Sequence, residues 1–144
     1  MNISLPSETI FHTIESTIKD YRKFAQKNIS AQIENITIDQ SITLIYLAKF
    51  PDLTQNELAD LLFKDNASLT RIINTMVKHG FLKRSMNQED RRRYRLQITS
   101  QGEKALETMS DIISNNRAKA LLGITKTELN QLNTILNKIK TNCQ

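Results

Sequence analysis

Apolar residues at 10, 11, 14, 18, 21, 24 and 25 recur at helical spacing, so the pattern predicts a first helix from Ser7 to about Lys27. A second runs from Asp39 to Phe50, with Ile42, Ile45, Leu47 and Ala48 among its apolar positions. Pro51 ends it, because proline disfavours helix in the residue before it. "TQNE", Thr54 to Glu57, has the form of a capping box, with a hydroxyl at the N-cap and a carboxylate three residues on. It opens a short helix with Leu58, Leu61 and Leu62 as its stripe. Asp65 then caps a helix from Asn66 to His79, with Leu69, Ile72, Ile73 and Met76 at i, i+3, i+4, i+7. Gly80 stands where a C-cap glycine belongs, and Lys78 and His79 suit the negative end of the helix dipole.

After Gly80 the period drops from 3.6 to 2. "FLKRS" is extended in character, and in "RRYRLQIT" Tyr94, Leu96 and Ile98 alternate with Arg93, Arg95 and Gln97. A polar connector, "MNQED", separates them, which makes a β-hairpin. "SQGE", Ser100 to Glu103, reads as another capping box opening a long helix to about Leu122, and Gly123 stops it. "TKTE", Thr125 to Glu128, opens a last helix carrying Leu129, Leu132, Ile135, Leu136 and Ile139. No internal repeat or low-complexity linker interrupts the chain.

Composition narrows the class. The 144 residues amount to one ordinary domain, and 39% hydrophobic residues suffice for a core. Three glycines and two prolines argue against an all-β architecture. No apolar run approaches the roughly 20 residues of a membrane span. "MNISLPSETI" lacks the basic-then-apolar pattern of a secretory signal, and the single cysteine, Cys143, allows no intramolecular disulfide. A reducing, cytoplasmic setting and no membrane partner are expected.

The charge distribution matters more than the net +5. Lys64 to Arg95 holds nine Lys/Arg against three acids, a net of +6, while the rest holds eleven basic and twelve acidic residues. The excess positive charge therefore sits mid-chain, as expected of a polyanion-binding surface; the bland alternative is a basic surface kept for solubility.

Helix, short helix, longer helix and hairpin make a winged helix-turn-helix, a device suited to duplex DNA. If Leu69, Ile72, Ile73 and Met76 face the core, the opposite face of that longer helix carries Ala67, Arg71, Asn74 and Lys78. Asn66 opens the helix, and Ser68, Thr70 and Thr75 flank that face, with no acid among them. Arginine pairs with guanine, asparagine with adenine, and hydroxyls with phosphates or bases. An ordinary amphipathic surface helix is the competing reading.

The stretch "LTQNELADLLFKDNASLTRIINTMVKHGFLKRSMNQEDRRRYRLQITSQG" resembles the core of the multiple-antibiotic-resistance-regulator (MarR) family of bacterial transcription factors. The matching positions are Leu53-Thr54, Glu57-Leu58-Ala59, Thr70-Arg71, Gly80, Arg84, Asp90, Arg92, Thr99 and Gly102. Phe63 departs from the small residue common at its position, Ala67 from a usual Ser or Thr, and Met76, Phe81 and Ile98 from Leu. The resemblance implies a mainly α fold with a small β-hairpin: a winged helix-turn-helix flanked by N- and C-terminal dimerisation helices. A single domain over residues 1–144 would contain a DNA-binding lobe at about 39–100 and dimerisation helices at about 5–30 and 101–144.

It further implies a homodimer, with recognition helices in successive major grooves of a pseudo-palindromic operator, most often as a repressor. Asp90 and Arg92 match the family's paired Asp-x-Arg at the wing. Asp90 is read as an organiser holding Arg84 or Arg92, Arg91 and Arg92 as reaching a groove or phosphates, and Arg93 and Arg95 as facing phosphate or solvent. Small aromatic or lipophilic effectors bind many family members between the dimer helices and the DNA-binding lobe. Tyr21, Phe24, Tyr46 and Phe50 are the candidates here, although at helical spacing they also read as plain core.

Other classes carry less. No metal-ligand spacing, phosphate-cradling glycine loop or nucleophile motif is present, so neither enzyme activity nor a metal or cofactor is expected. Cys143 reads as a bystander thiol. The remaining alternatives are a protein-interaction module that docks through the wing and a DNA-binding regulator that needs no ligand.

Overall fold

The structure, a computed structural model, describes residues 1–86, 89 and 94–144. Its elements are α1 (Ile10–Ser30), α2 (Ile38–Lys49), α3 (Gln55–Leu61), α4 (Asn66–Lys78), β1 (Leu82–Met86), β2 (Tyr94–Ile98), α5 (Ser100–Ala120) and α6 (Lys126–Asn142). Helix α1 begins three residues later than its periodicity predicts. Pro6–Glu8 forms a separate 3-10 turn, closed by a hydrogen bond from the Leu5 N–H to the Glu8 carboxylate, and Thr9 is extended.

The boxes at Thr54 and Thr125 form as the sequence predicts. Each hydroxyl accepts from the third residue's N–H, and each glutamate reaches back to the cap N–H. A further box at Thr37 with Gln40 starts α2. The expected box at Ser100 is displaced by one residue. Thr99 is the N-cap of α5 and accepts from the Gly102 N–H. The cause is tertiary: the Thr99 N–H donates to the Phe81 carbonyl and its hydroxyl to the Gly80 carbonyl, so the residue closing the hairpin also opens the helix.

Helix α2 buries only part of the expected apolar set: Leu47 is buried and Ile42 packs against the core. Thr43, Leu44 and Leu47 are buried with Gln40 and Ser41, whereas Ile45 and Ala48 are exposed. Polar residues can be buried here because they are locally satisfied. The Thr43 hydroxyl donates to the Asp39 carbonyl (2.7 Å) and the Ser41 hydroxyl to the Thr37 carbonyl (2.9 Å). In α3, Leu58 and Ala59 are buried with Leu62, and Leu61 turns out to solvent.

One core joins α1 to α5. It contains Ile29, Leu44, Leu47, Leu58, Leu62, Leu69, Ile73, Met76, Phe81, Leu82, Met109 and Ile112. The hairpin is antiparallel, with Leu82 opposite Ile98 and Arg84 opposite Leu96. Leu96 and Ile98 pack against this core, while Arg95 and Gln97 face out, as the alternation predicts. Helix α6 has no buried residue.

Candidate nucleic-acid interface

Helix α4 owes its position to both ends. At its start the Ser68 N–H donates to Asp65 Oδ1 at 2.7 Å. That backbone bond, reinforced by the Ser68 hydroxyl and the Arg71 charge, holds the Asp65 carboxyl below the usual aspartate range. At its end Gly80 adopts φ +84, and the Phe81 N–H returns to the Met76 carbonyl at 2.9 Å. Between them Leu69, Ile73 and Met76 are buried, with Ile72 packed against the core. The helix is thereby rotationally fixed. Ala67, Arg71, Asn74 and Lys78 are all exposed, with Asn66 exposed at its first turn. Ser68, Thr70 and Thr75 flank them half-buried. The outward face carries two cations and no acid.

Several of these side chains are held by neighbours. Arg71 Nη2 donates to Ser68 Oγ at 3.1 Å. Thr70 donates to the Asn66 carbonyl (2.8 Å) and accepts from Gln55 Nε2 (2.7 Å). The Gln55 bond, which ties the first residue of α3 to α4, escapes sequence reasoning; its only signal is a polar residue just after the Thr54 cap. Arg84 donates through Nη2 to Asn74 Oδ1, joining β1 to α4. Of the two arginines that Asp90 is expected to hold, Arg84 donates to Asn74. Asp90, Arg91, Arg92 and Arg93 lie outside the described residues, as does the side chain of Tyr94.

On the outer face of the hairpin, Arg95 Nη2 lies 3.7 Å from Asp52 Oδ1, so the wing is tied to the α2–α3 loop. Behind the helix pair, the Asp39 carboxylate receives Arg22 Nη2 at 2.5 Å and Lys64 Nζ at 3.4 Å. This three-charge group links α1, the first turn of α2 and the turn that precedes α4.

The four aromatics proposed for an effector are placed as follows. Tyr21 and Phe24 are half-buried three residues apart on α1, and the Lys119 ammonium of α5 lies 5.7 Å from the Phe24 ring centre. Tyr46 packs against the core. Phe50 is exposed and lines a shallow depression of about 330 Å³ with Lys49, Pro51, Asp52, Leu53 and Glu57. Among the described residues no cluster of His, Cys, Asp and Glu is suited to hold a metal ion.

Known proteins are similar to this chain in sequence and fold. The MarR family model matches residues 34–93. The chain is 28% identical over 121 residues to the HTH-type transcriptional regulator BilQ of Clostridium symbiosum, covering 84% of this chain and 83% of that one. In fold it is similar to Staphylococcus aureus MepR, solved in complex with DNA (TM-score 0.83, 20% identity, 97% of this chain and 100% of that one). It is also similar to Bordetella bronchiseptica BpsR, whose DNA binding is regulated by 6-hydroxynicotinic acid (TM-score 0.83, 18% identity, 96% and 98%).

Proposed function

We propose, on its similarity to MarR-family transcriptional regulators, that the chain is a regulator of that family and binds a pseudo-palindromic DNA operator as a homodimeric repressor. The observation that carries this reading is the fixed outward face of α4, with Ala67, Arg71, Asn74 and Lys78 exposed and no carboxylate among them. That face fits the major groove. Arg71 would pair bidentately with a guanine edge, contributing about 1–3 kcal/mol of discrimination, and Asn74 would contact a purine. Lys78 and Asn66 would hold phosphates and set the register, while Ser68 and Thr70, whose hydroxyl protons go to Asp65 and the Asn66 carbonyl, would shape the first turn of α4 behind that contact. Arg91, Arg92 and Arg93 would form the wing's cationic contribution, with Asp90 as its organiser, and Arg84 would act beside Asn74 at the foot of the wing.

Dimerisation is supported by what α6 and the chain start leave uncovered. Leu132 and Ile135 of α6 are 53% and 54% exposed, and Leu121, Leu122, Ile124, Ile3, Leu5, Ile10 and Phe11 are also exposed. A monomer rarely leaves so much apolar surface in water. Pairing these segments from two chains would present two α4 helices to major grooves roughly 34 Å apart. An aromatic or lipophilic anion would suit the region of Tyr21, Phe24 and Tyr46, where Lys119 supplies a cation, and BpsR's regulation by 6-hydroxynicotinic acid supports such release. Phe50 lines a separate depression with Lys49, Pro51, Asp52, Leu53 and Glu57. No helix among the described residues is long and apolar enough to cross a membrane, and DNA binding places the protein in the cytoplasm in this reading.

Light scattering combined with gel-shift titration tests the reading. A mass of twice 16.6 kDa and a preference for DNA from its own promoter over a random duplex are expected. A monomer, or equal affinity for both duplexes, contradicts it. Phenolic and nicotinic acids added to the complex then test release, and failure of all of them favours a regulator that needs no ligand.

A further inference from the structure

The strand period puts Arg84 in an unusual place for a phosphate contact. On β1, Leu82, Arg84 and Met86 share one face, and Lys83 and Ser85 share the other. Leu82 is buried, and Arg84 stands opposite Leu96, which packs on the core. Arg84 therefore leaves the hairpin on the side that packs toward α4, whereas Arg95 leaves on the outer side, near Asp52. From that inner side its guanidinium donates to Asn74 Oδ1, across ten residues of sequence.

This bond dictates more than proximity. An asparagine amide can present either its oxygen or its NH2 group in a given direction, and its neighbours decide which. A guanidinium has donors and no acceptor. Turning the Asn74 amide over would set its NH2 group against the Arg84 N–H groups, donor against donor. Arg84 therefore holds Oδ1 toward the wing and leaves the Nδ2 hydrogens for whatever lies in front of α4. A free side chain on an exposed helix face would have to be ordered on binding, whereas this one is ordered beforehand.

Resting on the DNA-binding reading above, we propose that Arg84 is a positioning residue for base readout. It fixes the Asn74 amide so that Nδ2 donates to an acceptor on the base edge, the N7 of a purine. Arg84 thereby couples the wing strand to recognition through the major groove rather than serving mainly as a phosphate contact. The wing and α4 present one combined surface in which a change in the strand is felt at the base contact.

Fluorescence titrations of wild type, Arg84→Ala, Asn74→Ala and the double variant, on a selected operator and a random duplex at several salt concentrations, test this. Arg84→Ala is expected to weaken operator binding roughly two- to twelvefold, the range of one hydrogen bond. Random-duplex affinity and the salt slope should stay close to wild type. The double variant should be no weaker than the worse single variant, because both remove one device. Arg84→Gln, which keeps an N–H donor without the charge, should recover part of the loss. Replacing the contacted purine by its 7-deaza analogue should weaken wild type and leave Arg84→Ala unmoved.

A loss that is equal on both duplexes, with a salt slope lower by about one, marks a phosphate contact and overturns the proposal. Additive single losses overturn it too. Thermal melts and the side-chain amide NMR signal of Asn74 in the free protein guard against a folding artefact. The signal should be ordered in wild type and mobile in Arg84→Ala at unchanged melting temperature, and a mobile Asn74 amide in wild type overturns the proposal without reference to DNA. Wild type that binds operator and random DNA equally overturns the DNA-binding reading itself, a different failure.

Discussion

Arg22 of α1 and Asp39 of α2 meet at 2.5 Å between Nη2 and Oδ1, and Lys64 reaches the other oxygen of the same carboxylate at 3.4 Å. The Asp39 side chain is about one-fifth exposed, whereas its two partners are closer to two-fifths. Asp39 also lies in the first turn of α2, where the helix dipole favours an anion. Losing the anion leaves two cations facing each other, whereas losing either cation leaves one pair intact. Asp39→Asn should therefore destabilise more than Arg22→Gln or Lys64→Gln, by about 1 kcal/mol after allowing for solvent screening. Urea unfolding of the three variants at low and high salt checks the order.

Phe63 shows where a local rule is broken. It has φ +57, a left-handed conformation that costs an L-residue about 1–2 kcal/mol, and it is 95% exposed, so packing does not offset that cost. The larger unfolded-state entropy of glycine takes back part of the gain. Phe63→Gly should stabilise by roughly 0.5–1 kcal/mol, seen as a higher thermal midpoint, and a lower midpoint contradicts the strain.

Gly102 predicts the opposite sign. It is the third residue of α5, where helix propensity alone favours alanine by about 1 kcal/mol. A Cβ there would lie 2.4 Å from the Phe81 carbonyl oxygen and 2.7 Å from Ile98 Cγ2. The first obstacle is backbone, held by the Thr99 N–H, and cannot swing aside. Overpacking of this kind costs about 1–3 kcal/mol, so it offsets or outweighs the propensity gain. Gly102→Ala should lower the thermal midpoint, and a stabilised variant contradicts the close approach of α5 to the wing.

The Asp65 cap carries a pH signature. Its carboxyl titrates below the ordinary aspartate range because the Ser68 N–H, the Ser68 hydroxyl and the Arg71 charge favour the anion. The stability it adds is present above the unfolded-state value of about 3.9 and disappears as pH falls through the lower folded-state value. An NMR titration of the Asp65 carboxyl should show a midpoint below that of a free aspartate. Protection of the Ser68 amide from exchange, taken relative to its intrinsic rate at each pH, should fall over the same acid range, and Asp65→Asn should abolish that pH dependence.

Much of the fold is legible because local signals agree. The period switch at Gly80 marks the hairpin, and Thr54, Asp65 and Thr125 mark three helix starts. What fails does so for tertiary reasons. Ser100 and Thr99 are both acceptable caps, and only the Phe81 and Gly80 carbonyls select Thr99. On α2 the buried face includes Gln40, Ser41 and Thr43, whose polarity hides it from a hydrophobic count. The outward face of α4 follows from periodicity. Its attachments, Gln55 to Thr70 and Arg84 to Asn74, join side chains 15 and 10 residues apart and leave no local trace.

The outward face of α4 is proposed to recognise duplex DNA sequence-specifically. The most direct measurement of this is a salt-series titration of wild type and Arg71→Ala on a site selected from a random DNA pool, with a scrambled duplex alongside. Such recognition predicts affinity for the selected site at least about a thousandfold above the scrambled one, falling steeply with salt. It also predicts a site with two inverted half-sites about ten base pairs apart, and a collapse of the preference in Arg71→Ala. Equal, salt-insensitive affinity for both duplexes, or an undiminished preference in Arg71→Ala, would contradict it.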